Sequence, residues 1–163
     1  MRRHPALFAI LVGGSIAGAL DLAFAITFAV LRGGTATRLL QTIASGLLGA
    51  SAYAGGMPVA ALGFVLHFAM TLLIAAIFYV AARCLPALVR HAPAAGVLYG
   101  IGVFLGMRLV VLPLSAFPYP VVFAPLASSL DLCSHMVFVG LPIALATRAA
   151  AASAQGVAAP ARA

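Results

Sequence analysis

Long runs without charge constrain this chain more than any motif in it. From Pro5 to Leu31 the only charged or imidazole side chain is Asp21. From Pro58 to Ala82 it is His67, and from Pro93 to Ser115 it is Arg108. From Pro125 to Thr147 there are Asp131 and His135. About 20 predominantly apolar residues suffice for a helix to cross a bilayer, and each run reaches that length. Backbone polar groups find no water in lipid and must be paired within the segment, which a helix does by itself. A β-barrel would need short alternating strands, and these runs do not alternate. The chain is 65% hydrophobic and 7% charged, whereas a soluble domain averages about 25% charged. The expected fold class is therefore all-α: a polytopic transmembrane helix bundle in a single domain, about 1–150. Its spanning helices fall at about 5–31, 58–82, 93–115 and 125–147.

Prolines punctuate these runs. Pro58, Pro93 and Pro125 stand where a first helical turn would begin, a position at which the missing N–H costs nothing. Pro142 lies inside the fourth run and is expected to kink it. The stretch 151–163 is alanine-rich and low in complexity and reads as a flexible C-terminal tail. The start, "MRR" followed by "ALFAILVGGSIAGAL", has the charged and apolar regions of a signal peptide, with "AFA" at Ala23–Ala25 as a cleavage site. The apolar run continues unbroken to Leu31, which favours a spanning helix.

The stretch 38–53 is ambiguous. It carries Gln41, Thr42, Ser45 and Ser51 and, at about 1.5 Å per residue, falls short of the ~30 Å hydrocarbon core. It reads as a short re-entrant or interfacial helix on the outer side, with a fifth span as the rival. The positive-inside rule does not choose between them. With four spans, Arg2, Arg3, Arg83, Arg90, Arg148 and Arg162 lie inside and Arg32 and Arg38 outside; with five, Arg2 and Arg3 exchange places with Arg32 and Arg38. Both arrangements keep the Arg83–Arg90 loop and the C-terminus cytoplasmic. Buried charges need partners, and only the four-span arrangement brings Asp21 to the depth of His67, Arg108 and Asp131.

The net charge of +7 comes from nine arginines. Most flank apolar runs, so they report topology rather than nucleic acid, and base-reading or phosphate-binding motifs are absent. Cys84 and Cys133 form no CxxC motif. Gly14/Gly18, Gly96/Gly100 and Gly102/Gly106 are spaced as GxxxG, which lets helices approach closely in lipid. Gly96, Gly100, Gly102 and Gly106 make the third run the candidate surface for a homo-oligomer.

The ionisable residues inside the runs are the candidate site. Asp21, His67, Arg108, Asp131 and His135 come from all four segments, and insertion scales put Asp or Arg at a helix centre at about 2.5–3.5 kcal/mol each. Asp131 and His135 stand at i and i+4 and share one helix face. Arg108 pairs with Asp21 or Asp131; in the leading reading it is the counter-charge to Asp21. The nitrogen and oxygen donors of His67, Asp131 and His135 would suit a divalent metal, and the two histidines admit haem. The bland alternative is interhelical fastening by polar side chains. GxSxG, HExxH and Walker motifs are absent, so enzymatic chemistry is not expected.

From His67 onward the chain resembles the YagU-like family of bacterial inner-membrane proteins. The resemblance rests on "LHFAMTLLIAAIFYVAARCLP", "LVVLPLSA" and "SLDLCSH". His67, Tyr79, Pro86, Gly96, Pro113, Asp131 and His135 fall at matching places. The family has an acid, often Glu, where this chain has Asp131 and a histidine at His135. It can carry His where this chain has Arg108, and its connection after the first helix is longer. The resemblance implies a multi-spanning bacterial inner-membrane protein loosely associated with acid tolerance and without an assigned biochemical activity. Three functions follow as expectations: a proton- or ion-responsive channel or transporter, a non-catalytic scaffold held by GxxxG contacts, or a metal- or haem-binding membrane protein.

Overall fold

The structure, a computed structural model, describes residues 4–158, with side chains as far as Ser153. All regular elements among the described residues are helical. Helix α1 is Pro5–Leu31, α2 is Ala36–Leu48 and α3 is Gly56–Cys84; a 3₁₀ turn, Gly49–Ala54, links the last two. A short α4, Pro86–Arg90, leads into α5, built from Ala92–Gly106, a π-helical segment Met107–Val111 and Leu112–Leu114. Helix α6 follows the same plan: Pro125–Ser134, a π-helical segment His135–Gly140 and Leu141–Ala158.

Four helices are long and apolar enough to cross a membrane: α1, α3, α5 and α6, with mean hydropathy between 1.6 and 2.3. The chain is a multi-pass membrane protein of the all-α class. Helix α2 has 13 residues, about 20 Å, and is not a fifth span. Its amphipathic face buries Gln41, Ala44 and Ser45. It rests on the first part of α3, where a Cβ at Gly63 would collide with the Leu40 backbone. Gln41 Nε2 donates to the Gly56 carbonyl at 3.1 Å, and Ala116 N–H donates to the Gly46 carbonyl at 2.9 Å. These bonds tie α2 to the start of α3 and to the strand-free connection after α5.

Local chemistry sets the helix ends. Pro5, Pro86, Pro93 and Pro125 occupy first-turn positions, where a proline N–H is not missed. Helix α1 stops in a Schellman turn. Gly33, at φ +82°, donates to Val30 at 2.9 Å and Gly34 donates to Ala29 at 2.8 Å, which satisfies carbonyls the helix leaves open. Thr35 then caps α2 by accepting from Arg38 N–H at 3.1 Å.

The two π-helical segments each end two residues before a proline, Val111 before Pro113 and Gly140 before Pro142. Proline lacks the donor for a regular i→i−4 bond and its ring crowds that carbonyl. A wider turn relieves both, and the helix accommodates Pro142 in this way. Helix α6 also continues to Ala158, beyond the expected end near Thr147. Positions 151–158 of the expected tail are helical, and 159–163 lie outside the described residues.

Small residues draw the spans together. Gly14 and Gly18 face Leu72, Thr71 and Phe68 of α3, and Gly13 faces Ile143 and Ala146 of α6. Gly96 lies against Gly140, and Gly100 against the backbone of His135 and Met136. Phe78, Val139 and Ile143 fill the core between them, and Tyr99 Oη donates to the Ile74 carbonyl at 2.7 Å. Gly96 and Gly100 are thus occupied inside the chain, while Gly102 and Gly106 meet nothing within 4 Å. The four glycines do not form one outward surface, because the helix turns the first pair towards α6.

Candidate functional site

The π-helical segments place the polar side chains. Arg108 sits in the α5 segment, and His135 opens the α6 segment. Such segments shift the side chains beyond them round the helix and recur at functional positions. Asp131 stands one turn before His135. Asp21 comes from the half of α1 nearer α2.

Asp131 is the hub. Arg108 donates to its Oδ2 from Nη2 at 3.0 Å and from Nε at 3.3 Å. His135 Nδ1 lies 3.2 Å from Oδ1 and 2.8 Å from the Asp131 carbonyl. Both oxygens accept, so Nδ1 carries the hydrogen and Nε2 is left as the basic atom of a neutral ring. Ser134 Oγ lies 3.2 Å from Asp21 Oδ1 and 3.0 Å from the Asp131 carbonyl. Asp21 has no cation within 4 Å among the described residues. The expected Arg108–Asp21 pairing is therefore replaced: Arg108 takes Asp131, and a hydroxyl holds Asp21.

The rest of the Arg108 head group is also committed. Nη1 donates to the Val122 carbonyl at 2.8 Å. The guanidinium carbon lies 5.2 Å from the Phe104 ring centre and 5.4 Å from that of Phe123, within cation–π range. Phe104 also meets His135 edge-on at 5.8 Å. A cavity of about 230 Å³ opens on Asp21, Arg108 and Asp131 and is walled by Phe24, Phe28 and Leu39. Asp131 keeps 35% of its side-chain surface accessible, against 19% for Arg108 and 14% for His135. Of these three side chains the carboxylate is the most accessible.

His67 is elsewhere. Its Nε2–H donates to the Gly18 carbonyl of α1 at 2.9 Å, and its ring stands edge-on to Phe68 at 5.6 Å. Among the described residues no three His, Cys, Asp or Glu side chains gather closely enough to hold a metal ion. The expected set of His67, Asp131 and His135 is not assembled, because His67 spends its nitrogen on α1 while His135 turns to Asp131.

Four members of the network escape a reading of charge alone. Ser134 had a signal, since it stands three residues after Asp131 and shares its face. Phe104 had a weaker one, one turn before Arg108. Phe123 and the Val122 carbonyl had none, because they lie in the connection between α5 and α6, where no period applies. With Arg108 charged, both aspartates ionised and His135 neutral, the network carries one net negative charge. A proton on His135 Nε2 would bring it to zero. Comparison with protein-family models, with curated proteins and with solved structures finds no match for this chain.

Proposed function

We propose that this protein is a proton-responsive channel- or transporter-like membrane protein whose working site is the network of Asp21, Arg108, Asp131 and His135. One observation carries the reading: Asp131 is shared between a permanent cation and an imidazole, beside a second carboxylate with no cation within 4 Å among the described residues, on a cavity. Such a site takes up a proton by changing the sign balance of groups already in contact. Imidazole is the side chain whose ordinary range spans physiological pH. The resemblance to the YagU-like family, with its loose association with acid tolerance, points the same way.

The test is proton flux into liposomes containing the full chain, measured between about pH 5 and 8, where an imidazole changes charge. Flux is expected in the native protein and lost in Asp131→Asn and His135→Ala. Equal flux in both variants would remove the proposal, and so would its absence in the native protein.

A bacterial inner-membrane location belongs to the same reading. Arg83, Arg90 and Arg148 mark the α4 end of the bundle, and the positive-inside rule assigns that end, with the C-terminus, to the cytoplasm. A reporter fused after Ala163 reads this directly: cytoplasmic activity is expected, and periplasmic activity reverses the orientation. A scaffold role has one observation in its favour, the open faces of Gly102 and Gly106. On that reading Gly102→Leu with Gly106→Leu abolishes self-association in detergent while Asp131→Asn leaves it intact.

A further inference from the structure

The α4 end holds a second, larger cavity, of about 930 Å³. It lies between the start of α1, the end of α3, α4 and the later part of α6. Three arginines converge on it from three helices: Arg83, Arg90 and Arg148. None has an acid within 4 Å among the described residues. The chain has only two acids, and both stand in the Asp21–Asp131 network. Among the described residues no side chain serves as a counter-ion for the cavity.

A second observation points independently to a missing partner. Thr147 lines the cavity, is 2% exposed, and its hydroxyl has no hydrogen-bond partner. Threonine in a helix ordinarily bonds the carbonyl four residues back. Thr27 does so with Ala23 at 2.8 Å, and Thr42 with Arg38 at 2.9 Å. Thr147 departs from that habit. A buried hydroxyl left unpaired costs about 1–3 kcal/mol, so its partner is expected to come from outside the chain.

We infer that this cavity binds the phosphate group of an anionic phospholipid headgroup. Arginine favours phosphate because its planar donors match the oxygens in pairs. Arg90 is steadied by donating Nε–H to His91 Nε2 at 3.3 Å, which leaves its terminal nitrogens for the ligand. Thr147 borders the cavity with its hydroxyl turned inward, and a rotation about χ1 would make it a neutral donor to a phosphoryl oxygen. Pro86, Ala87, Val89 and Ala151 wall the cavity, and an apolar wall suits the glycerol and upper acyl chain better than a free ion. The cavity lies at one end of the spanning helices, the level at which headgroups lie. Basic pockets between spanning helices bind anionic lipids by the same logic.

The experiment titrates the full chain in a neutral detergent with short-chain phosphatidylglycerol, with phosphatidylcholine of the same length, and with inorganic phosphate, following thermal unfolding. A saturable rise in Tm with phosphatidylglycerol alone is expected. An equal rise with phosphatidylcholine, or with inorganic phosphate at the same concentration, would overturn the assignment to an anionic lipid. Arg83→Gln with Arg148→Gln is expected to weaken lipid binding by about 25-fold, at roughly five-fold per arginine. Arg38→Gln, at the opposite end, should leave it unchanged; a loss equal to that of the double variant would mean general surface attraction and sink the site. Thr147→Val removes only an unpartnered hydroxyl, so the lipid-free protein should fold with an unchanged or higher Tm. Its lipid binding should fall about three- to ten-fold, and undiminished binding would exclude Thr147 as a ligand.

Discussion

The two ends of the bundle treat charge in opposite ways. Near α2, Arg108 and Asp131 meet at 3.0 Å, with aromatic rings beside the guanidinium. Near α4, Arg83, Arg90 and Arg148 face a cavity with no acid beside them among the described residues. Within a span, charge is costly unless paired. At a helix end, long arginines reach water or headgroups and can stay unpaired within the chain. The first arrangement is closed on itself apart from one carboxylate. The second is incomplete without something from outside. The only two acids of the chain both stand in the first arrangement, on its cavity.

Breaking the first region without touching a charge should produce the largest effect. Gly100→Leu drives a side chain into the His135 backbone, and overpacking of this kind costs about 3 kcal/mol or more. Chemical unfolding in detergent micelles should show it as a lost or strongly shifted transition. Next comes Arg108→Leu, which strands Asp131 beside His135. Removing one partner of a buried pair costs about 3–5 kcal/mol, and about 2 kcal/mol is expected here because Asp131 retains 35% accessibility. A double-mutant cycle with Asp131→Leu isolates the pair; a coupling near zero would mean the contact is incidental. Gly102→Leu should move stability by less than about 0.5 kcal/mol, since nothing lies within 4 Å of its face. Arg83→Gln in the lipid-free protein should do as little. If it destabilised as much as Arg108→Leu, the contrast between the ends would fail.

The spans were legible because lipid is an undemanding solvent to read. Charge-free length sufficed to place α1, α3, α5 and α6, and the prolines at 93 and 125 marked helix starts, while α3 begins at Gly56, two residues before Pro58. Asp131 with His135 was legible from spacing. The partner of Arg108 was not, because both aspartates stood at a suitable depth and only the packing of α5 on α6 decides between them. His67 illustrates the same gap: depth placed it with the cluster, while the close approach of α3 to α1 at Gly18 turned it to a backbone carbonyl. The GxxxG pairs were equally visible in sequence and unequally used in the fold. A run of small residues reports that an approach is permitted, and the neighbour decides where it happens. The α6 extension to Ala158 was hidden because an alanine-rich stretch reads as low complexity and is also the best helix former.

The π-helical segments before Pro113 and Pro142 carry a further consequence. Each inserts one extra residue into the winding, which advances everything beyond it by about 100°. Helices α5 and α6 are therefore each written in two phases, joined at different depths: the α6 joint lies against Gly96 and Gly100, and the α5 joint lies beyond them, at Arg108. On one side of the joint α5 spends Gly96 and Gly100 on its neighbour; at the joint itself Arg108 meets Asp131. Removing a single residue from Met107–Val111 would restore one continuous phase and turn Leu112–Leu114, with the connection that carries Val122 and Phe123, by about 100° relative to Gly96 and Gly100.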